Sequence, residues 1–124
     1  MLPQGLKYSK ENMWVFIKGD RAKIGITEYL LENIKEISGV SLPKKGEDID
    51  KDEVFGGIDT NEQVIDLIAP LSGEVIRINS LVLNEPEAII EDPYGTGWLI
   101  EIDIYEPEEV EELLEIDEYE RLIE

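Results

Sequence analysis

The sequence predicts a mainly β fold, a small barrel or sandwich, with one helix over residues 28–37 and a helical C-terminus. Three observations carry that expectation. Short apolar stretches recur along the chain, turn-forming residues separate them, and only two segments repeat apolar side chains at helical spacing. A chain of 124 residues with 42% hydrophobic side chains is expected to build one modest core, so residues 1–124 are read as a single domain.

Met13–Lys18 (MWVFIK) and Arg21–Ile26 (RAKIGI), split by Gly19 and Asp20, read as a hairpin with a tight turn. Thr27 is placed to cap the helix that follows. Leu30, Leu31, Ile34 and Ile37 then form one apolar stripe, and Gly39 is a stop. Val40–Leu42 is a short β-like piece before the turn Pro43-Lys44-Lys45-Gly46. Val54–Ile58 and Val64–Ile68 are two apolar strands joined by Asp59-Thr60-Asn61-Glu62-Gln63. Pro70-Leu71-Ser72-Gly73 makes another turn, and Glu74–Ile78 alternates with the period of a strand. Pro86–Ile90 is compatible with one helical turn or two. Pro93–Gly97 is loop chemistry, and Trp98–Ile104 is an alternating strand. From Pro107 onward the chain reads as helical. Val110, Leu113 and Leu114 supply its buried stripe, and Asp117 caps a last short helix containing Leu122 and Ile123.

Composition removes most functional classes. With 30 acidic and 11 basic side chains the net charge is −19, which opposes binding to nucleic acid or to an anionic membrane surface. There is no Cys, hence no disulfide, thiolate site or thiol nucleophile, and no His, the commonest general base. No apolar run reaches the roughly 18 residues of a membrane span. Met1–Lys10 lacks the apolar core of a signal peptide, so the expected compartment is the cytoplasm. The charge is lopsided: residues 1–51 hold nine basic and eight acidic groups, whereas residues 52–124 hold 22 acidic groups and only Arg77 and Arg121. That acidic half reads either as a solvated face or as a docking surface for basic partners.

Other features read as structural. Trp14 and Trp98 lie in strand-like apolar runs and are expected to pack rather than bind a ligand. Pro93–Gly97 lacks the spacing and Lys of a phosphate loop. Asp48, Asp50 and Asp52 alternate as calcium ligands do, but the Gly and closing Glu of a calcium loop are missing, so no metal is expected. Arg77 is expected to pair with an internal carboxylate or to face outward.

Three ordered segments carry a resemblance. Val54-Phe55-Gly56-Gly57-Ile58-Asp59, followed by Ala69-Pro70-Leu71-Ser72-Gly73-Glu74-Val75, is similar to a strand–hairpin–strand motif. Glu91-Asp92-Pro93-Tyr94-Gly95-Thr96-Gly97-Trp98-Leu99 and Ile24-Gly25-Ile26-Thr27 are the second and third, and Leu42-Pro43 with Gly46 fits a fourth. Together they resemble the H protein family of the glycine cleavage system, over roughly residues 14–123. The resemblance implies a barrel-sandwich hybrid of the lipoyl/biotinyl carrier type. It also implies a lipoyl group in amide linkage to a lysine at the hairpin tip. The implied partners are the pyridoxal-phosphate decarboxylase, the aminomethyltransferase and dihydrolipoyl dehydrogenase, or other lipoate-handling proteins. Such a protein is a carrier and not an enzyme.

The tip departs from the family pattern, which reads roughly Glu-Ser-Val-Lys-Ala where this chain has Asp59-Thr60-Asn61-Glu62-Gln63. That pattern places the lysine seven residues after the motif Phe, and counting from Phe55 reaches Glu62. A carboxylate cannot form an amide with the carboxyl of lipoic acid. The hairpin holds no lysine, and Lys51 is the last in the chain. The expectation is therefore an unmodified Glu62, no lipoate cofactor, and a non-carrier partner-binding or regulatory paralogue. Two alternatives stand beside it: a true lipoyl carrier whose lysine has been replaced, and an unrelated acidic binding module on the same fold.

Overall fold

A computed structural model of the chain describes residues 2–124. Among the described residues nine strands form two antiparallel sheets. The strands are β1 (Lys7–Tyr8), β2 (Met13–Lys18), β3 (Arg21–Ile26), β4 (Gly39–Ser41), β5 (Asp48–Ile49), β6 (Val54–Asp59), β7 (Val64–Ile68), β8 (Gly73–Ile78) and β9 (Ile100–Ile104). The larger sheet runs β1-β2-β3-β9-β8-β5 and the smaller β4-β6-β7. The expected β-rich sandwich is therefore what the chain adopts.

The β2–β3 hairpin closes on Gly19 and Asp20, with Lys18 opposite Arg21. Gly19 sits at φ +64°, the backbone a tight hairpin turn demands at its first central position. Alternation then sorts the side chains. Ala22, Ile24 and Ile26 of β3 and Ile100 and Ile102 of β9 enter the main core, where they meet Ile58 and Leu67 of the smaller sheet. Lys23 and Glu101 oppose one another on the other face. That face is not bare: Tyr8, Trp14 and Tyr119 are buried there with Leu2 in a second, smaller cluster.

Two helical expectations are corrected. The helix over 28–37 is a single turn, α1 (Glu28–Leu31). Its apolar stripe is used differently from the expected one: Leu31 and Ile37 are both buried, but the chain between them is irregular. The physical reason is that Ser38 N–H donates to the Asp59 carbonyl at 2.8 Å and Gly39 pairs with Asp59 in the smaller sheet. The chain must reach that sheet extended, and a helix rising 1.5 Å per residue would fall short.

At the other end Pro107–Glu112 is a 3-10 turn, not an α-helix, and the buried stripe breaks after it. Leu113 is buried in the main core, whereas Leu114 forms a β-bridge with Tyr8. The last helix is α4 (Ile116–Ile123); α2 (Ser80–Asn84) and α3 (Glu87–Glu91) lie between β8 and β9. Asp117 does not cap α4. Glu115 does, in a reciprocal capping box with Glu118.

Tyr119 fastens α4 to the body. Its hydroxyl is 2.7 Å from Thr27 Oγ1 and donates to Asn12 Oδ1 at 2.7 Å, while its ring stacks on Tyr8 with centroids 4.8 Å apart. Burial, opposed by the Thr27 hydrogen bond, pushes the Tyr119 hydroxyl up to about 12, and burial pushes Tyr8 up as well. A phenol whose folded pKa is raised binds its proton longer in the folded state than in the unfolded one. Stability should therefore be intact below about pH 10, the ordinary tyrosine value, and decline as pH rises towards about 12. Unfolding followed by far-ultraviolet dichroism across that window tests this, and Tyr119→Phe should flatten the decline.

Candidate functional site

The β6–β7 hairpin carries the strand–hairpin–strand motif and has an exposed tip. Its ladder pairs Ile58 with Ile65 and Asp59 with Val64, leaving Thr60–Gln63 as the tip. Asp59, expected in the connection, belongs to the strand. Ile58 and Leu67 anchor the hairpin in the core, and β4 supports β6 from the other side. Gly56 makes that support possible, because a Cβ there would stand 2.4 Å from the Ser41 carbonyl oxygen. Across from Gly56 the ladder slips its register between Val54 and Gly56.

Thr60 organises the tip. Its Oγ1 accepts from Glu62 N–H at 3.3 Å and Gln63 N–H at 3.1 Å and donates to the Gln63 carbonyl at 3.0 Å. The Thr60 and Gln63 backbones close the turn at 2.9 Å. Asn61, Glu62 and Gln63 are exposed, so Glu62 is presented on a knitted turn. Thr60→Ala should cost about 1 kcal/mol or less while speeding amide exchange at Glu62 and Gln63. Unchanged exchange at both amides would show that the backbone alone shapes the turn.

Beside the tip lies a recess of about 330 Å³ lined by Asn33, Ile34, Lys35, Glu36 and the tip residues. Lys35 is exposed there, which brings a primary amine to the tip from a different segment. Lys35 lies outside the hairpin, so the hairpin's own sequence gives no sign of it. No residue pattern links positions 35 and 62; only the extended path from α1 to β4 does.

The remaining candidates are structural. Trp14 is buried and donates from Nε1 to the Pro93 carbonyl at 2.9 Å, tying β2 to the 93–97 loop. That loop is held by Asp92, whose carboxylate accepts from the Thr96 N–H at 2.9 Å and its hydroxyl at 3.2 Å. Trp98 is half-buried between Lys23 and Arg77, each about 5 Å from its ring. Arg77 pairs with Glu101 at 3.1 Å, on an exposed face. Asp48 accepts a hydrogen bond from Tyr105, and among the described residues no group of three acidic side chains is placed to hold a metal. No helix among them is long and apolar enough to cross a membrane.

Two sandwiched antiparallel sheets with a hairpin between core-anchored strands make a barrel-sandwich domain of the lipoyl-carrier type, a class that is not itself catalytic. Residues 6–124 match the glycine cleavage H-protein family. The glycine cleavage system H protein of Synechococcus sp. (strain JA-2-3B'a(2-13)) is 40% identical over 122 residues, covering 98% of this chain and 95% of that one. A probable glycine cleavage system H protein of Aeropyrum pernix is 36% identical, covering 96% of this chain and 83% of its own. A crystal structure of a glycine cleavage system H protein from Mycobacterium marinum superposes with a TM-score of 0.83 at 31% identity, over 95% of both chains. The chain belongs to the glycine cleavage H-protein family. Proteins of this family ordinarily carry lipoate and work with the glycine cleavage enzymes.

Proposed function

We propose that this H-protein family member works without a lipoyl arm, as a partner-binding or regulatory protein of the glycine cleavage system. In this reading residues 1–124 act as one domain in the cytoplasm. The observation that carries it is Glu62, exposed on the turn that Thr60 knits together. Amide attachment of lipoate needs a primary amine, and the tip offers one carboxylate, two carboxamides and a hydroxyl instead. The residues at the tip do not fit the group, so no transfer step is assigned to them. What remains useful is the shape: a stiff, acidic turn able to enter a site built for the same hairpin and to meet an Arg there.

A second reading, a working carrier whose lysine has been replaced, draws support from the same retained stiffness. Against it, Asn61 and Gln63 also depart from the family tip, which one replacement does not produce.

The test has two parts. Intact mass after co-expression with a lipoate ligase should show the unmodified chain; a lipoyl group on Lys35, the amine beside the tip, would overturn the reading. Binding to the pyridoxal-phosphate decarboxylase, the aminomethyltransferase and dihydrolipoyl dehydrogenase from the same source should weaken with Glu62→Ala. Undiminished binding by that variant would move the interface away from the tip, and no binding to any of the three would leave the unrelated-module reading.

A further inference from the structure

A groove of about 980 Å³ lies away from the hairpin, between α1 and α4, with Leu31, Ile90, Pro93 and Ile123 among its lining. Tyr29 and Leu2 extend the apolar surface at its margin. Both walls are fixed in advance. Tyr119 ties α4 to Thr27, the residue immediately before α1, and stacks on Tyr8 beneath. A groove held this way binds without first ordering its own walls.

The rim is almost entirely acidic. Glu28 and Glu32 stand on the α1 side, and Asp117, Glu120 and Glu124 on the α4 side. Among the described residues Arg121 is the one cation in the lining, and it lies 4.0 Å from Asp117, one helical turn away. We infer that this groove docks an amphipathic protein segment of the opposite kind, aliphatic along one face with Lys or Arg flanking it. The apolar lining requires the aliphatic face, and the carboxylates select the basic flanks. The same rim repels nucleic acid, anionic small molecules and a second copy of a chain carrying −19 charges.

The groove and the tip recess use adjoining parts of one segment. Glu28, Tyr29, Leu31 and Glu32 face the groove, and Asn33–Glu36 line the recess beside Glu62. A partner that engages the tip could therefore hold the groove with a second element, but the groove's occupancy does not depend on what the tip carries.

The experiment is a titration of the full-length protein with a synthetic helical Leu/Lys peptide, followed by amide chemical shifts. Shifts should concentrate at residues 28–32, 90–93 and 117–124. The doubly neutralised Glu32→Gln/Glu120→Gln protein should bind about tenfold more weakly, and Tyr29→Lys should do the same from the apolar margin. Glu62→Ala should bind as the parent does, which separates this inference from the reading of the tip. A Ser/Lys peptide of equal charge should bind far less well. Equal binding of the Ser/Lys peptide, shifts spread over the acidic 106–112 segment, or no binding of the Leu/Lys peptide would each overturn the inference.

Discussion

Glu62→Lys should convert the chain, which on the proposed reading a lipoate ligase leaves untouched, into one modified at the hairpin tip. The expected change is from no detectable product to a lipoyl adduct on most of the intact protein, mapped by peptide mass to residue 62. The geometry favours this because the scaffold is already in place. Ile58 and Leu67 anchor both strands, and Thr60 Oγ1 bonds the amides of residues 62 and 63 whatever side chain residue 62 carries. Lys35 near the tip makes a control necessary, so Lys35→Ala should be combined with the Glu62→Lys change. A folded Glu62→Lys protein that stays unmodified would mean that Asn61 and Gln63 also block recognition. The triple change restoring the family's tip should then recover the adduct.

The second large effect is structural. Trp14→Ala should destabilise the protein by about 3–5 kcal/mol and lower its melting midpoint by roughly 10–20 °C. The indole is 2% exposed, lies over Gly25 in the neighbouring strand, and satisfies the Pro93 carbonyl. Its loss opens a cavity in the smaller cluster and frees the 93–97 loop together. Thermal unfolding measures the first consequence, and amide exchange at Thr96 and Gly97 the second. Trp14→Phe keeps most of the packing but not the hydrogen bond, so it should fall between. A midpoint within a few degrees of the parent's would show that the second cluster contributes little to global stability.

The parts of the fold that sequence made legible are those where short-range chemistry dominates. Arg21–Ile26 and the strand ending at Ile104 alternate so regularly that their inward faces are readable without tertiary information. The alternation expected of Glu74–Ile78, by contrast, is broken by a register slip between Val75 and Arg77 that turns Val75 and Ile78, and not Ile76, to the core. Gly19-Asp20 marks its hairpin through backbone conformation alone. Other elements owe their state to distant partners. Lys7–Tyr8 and Asp48–Ile49 are two-residue strands that exist only because β2 and β8 run beside them. Leu30, Leu31, Ile34 and Ile37 are spaced for a helix, but the pairing of residues 38–41 with β6 pulls the chain straight. Asp117 lost the cap to Glu115 because Lys7 pairs with Glu115 and Glu118 reaches back to its N–H.

The candidate site divides the same way. The tip's residues, and Glu62 within it, were readable because a hairpin is local. The recess beside it and the groove between α1 and α4 were not, since each is formed by surfaces far apart in sequence.

The bridge between Tyr8 and Leu114 has a consequence for how the molecule is made. Tyr8 N–H donates to the Leu114 carbonyl at 2.9 Å and Leu114 N–H returns the bond at 2.7 Å. The neighbouring β3–β9 pairing joins Ile24 to Ile100. On a ribosome the N-terminal hairpin emerges first, yet its partner strand follows only after most of the chain has been synthesised. Until then β3 presents an unpaired edge and Trp14 lacks the Pro93 carbonyl that it holds in the finished fold. Closing loops this long costs chain entropy before any contact repays it, so folding should be slow for a chain of this size. The low cation content of the later segment then has a use during synthesis: a nascent chain that grows steadily more negative repels its neighbours on the same message while its sheet is still open.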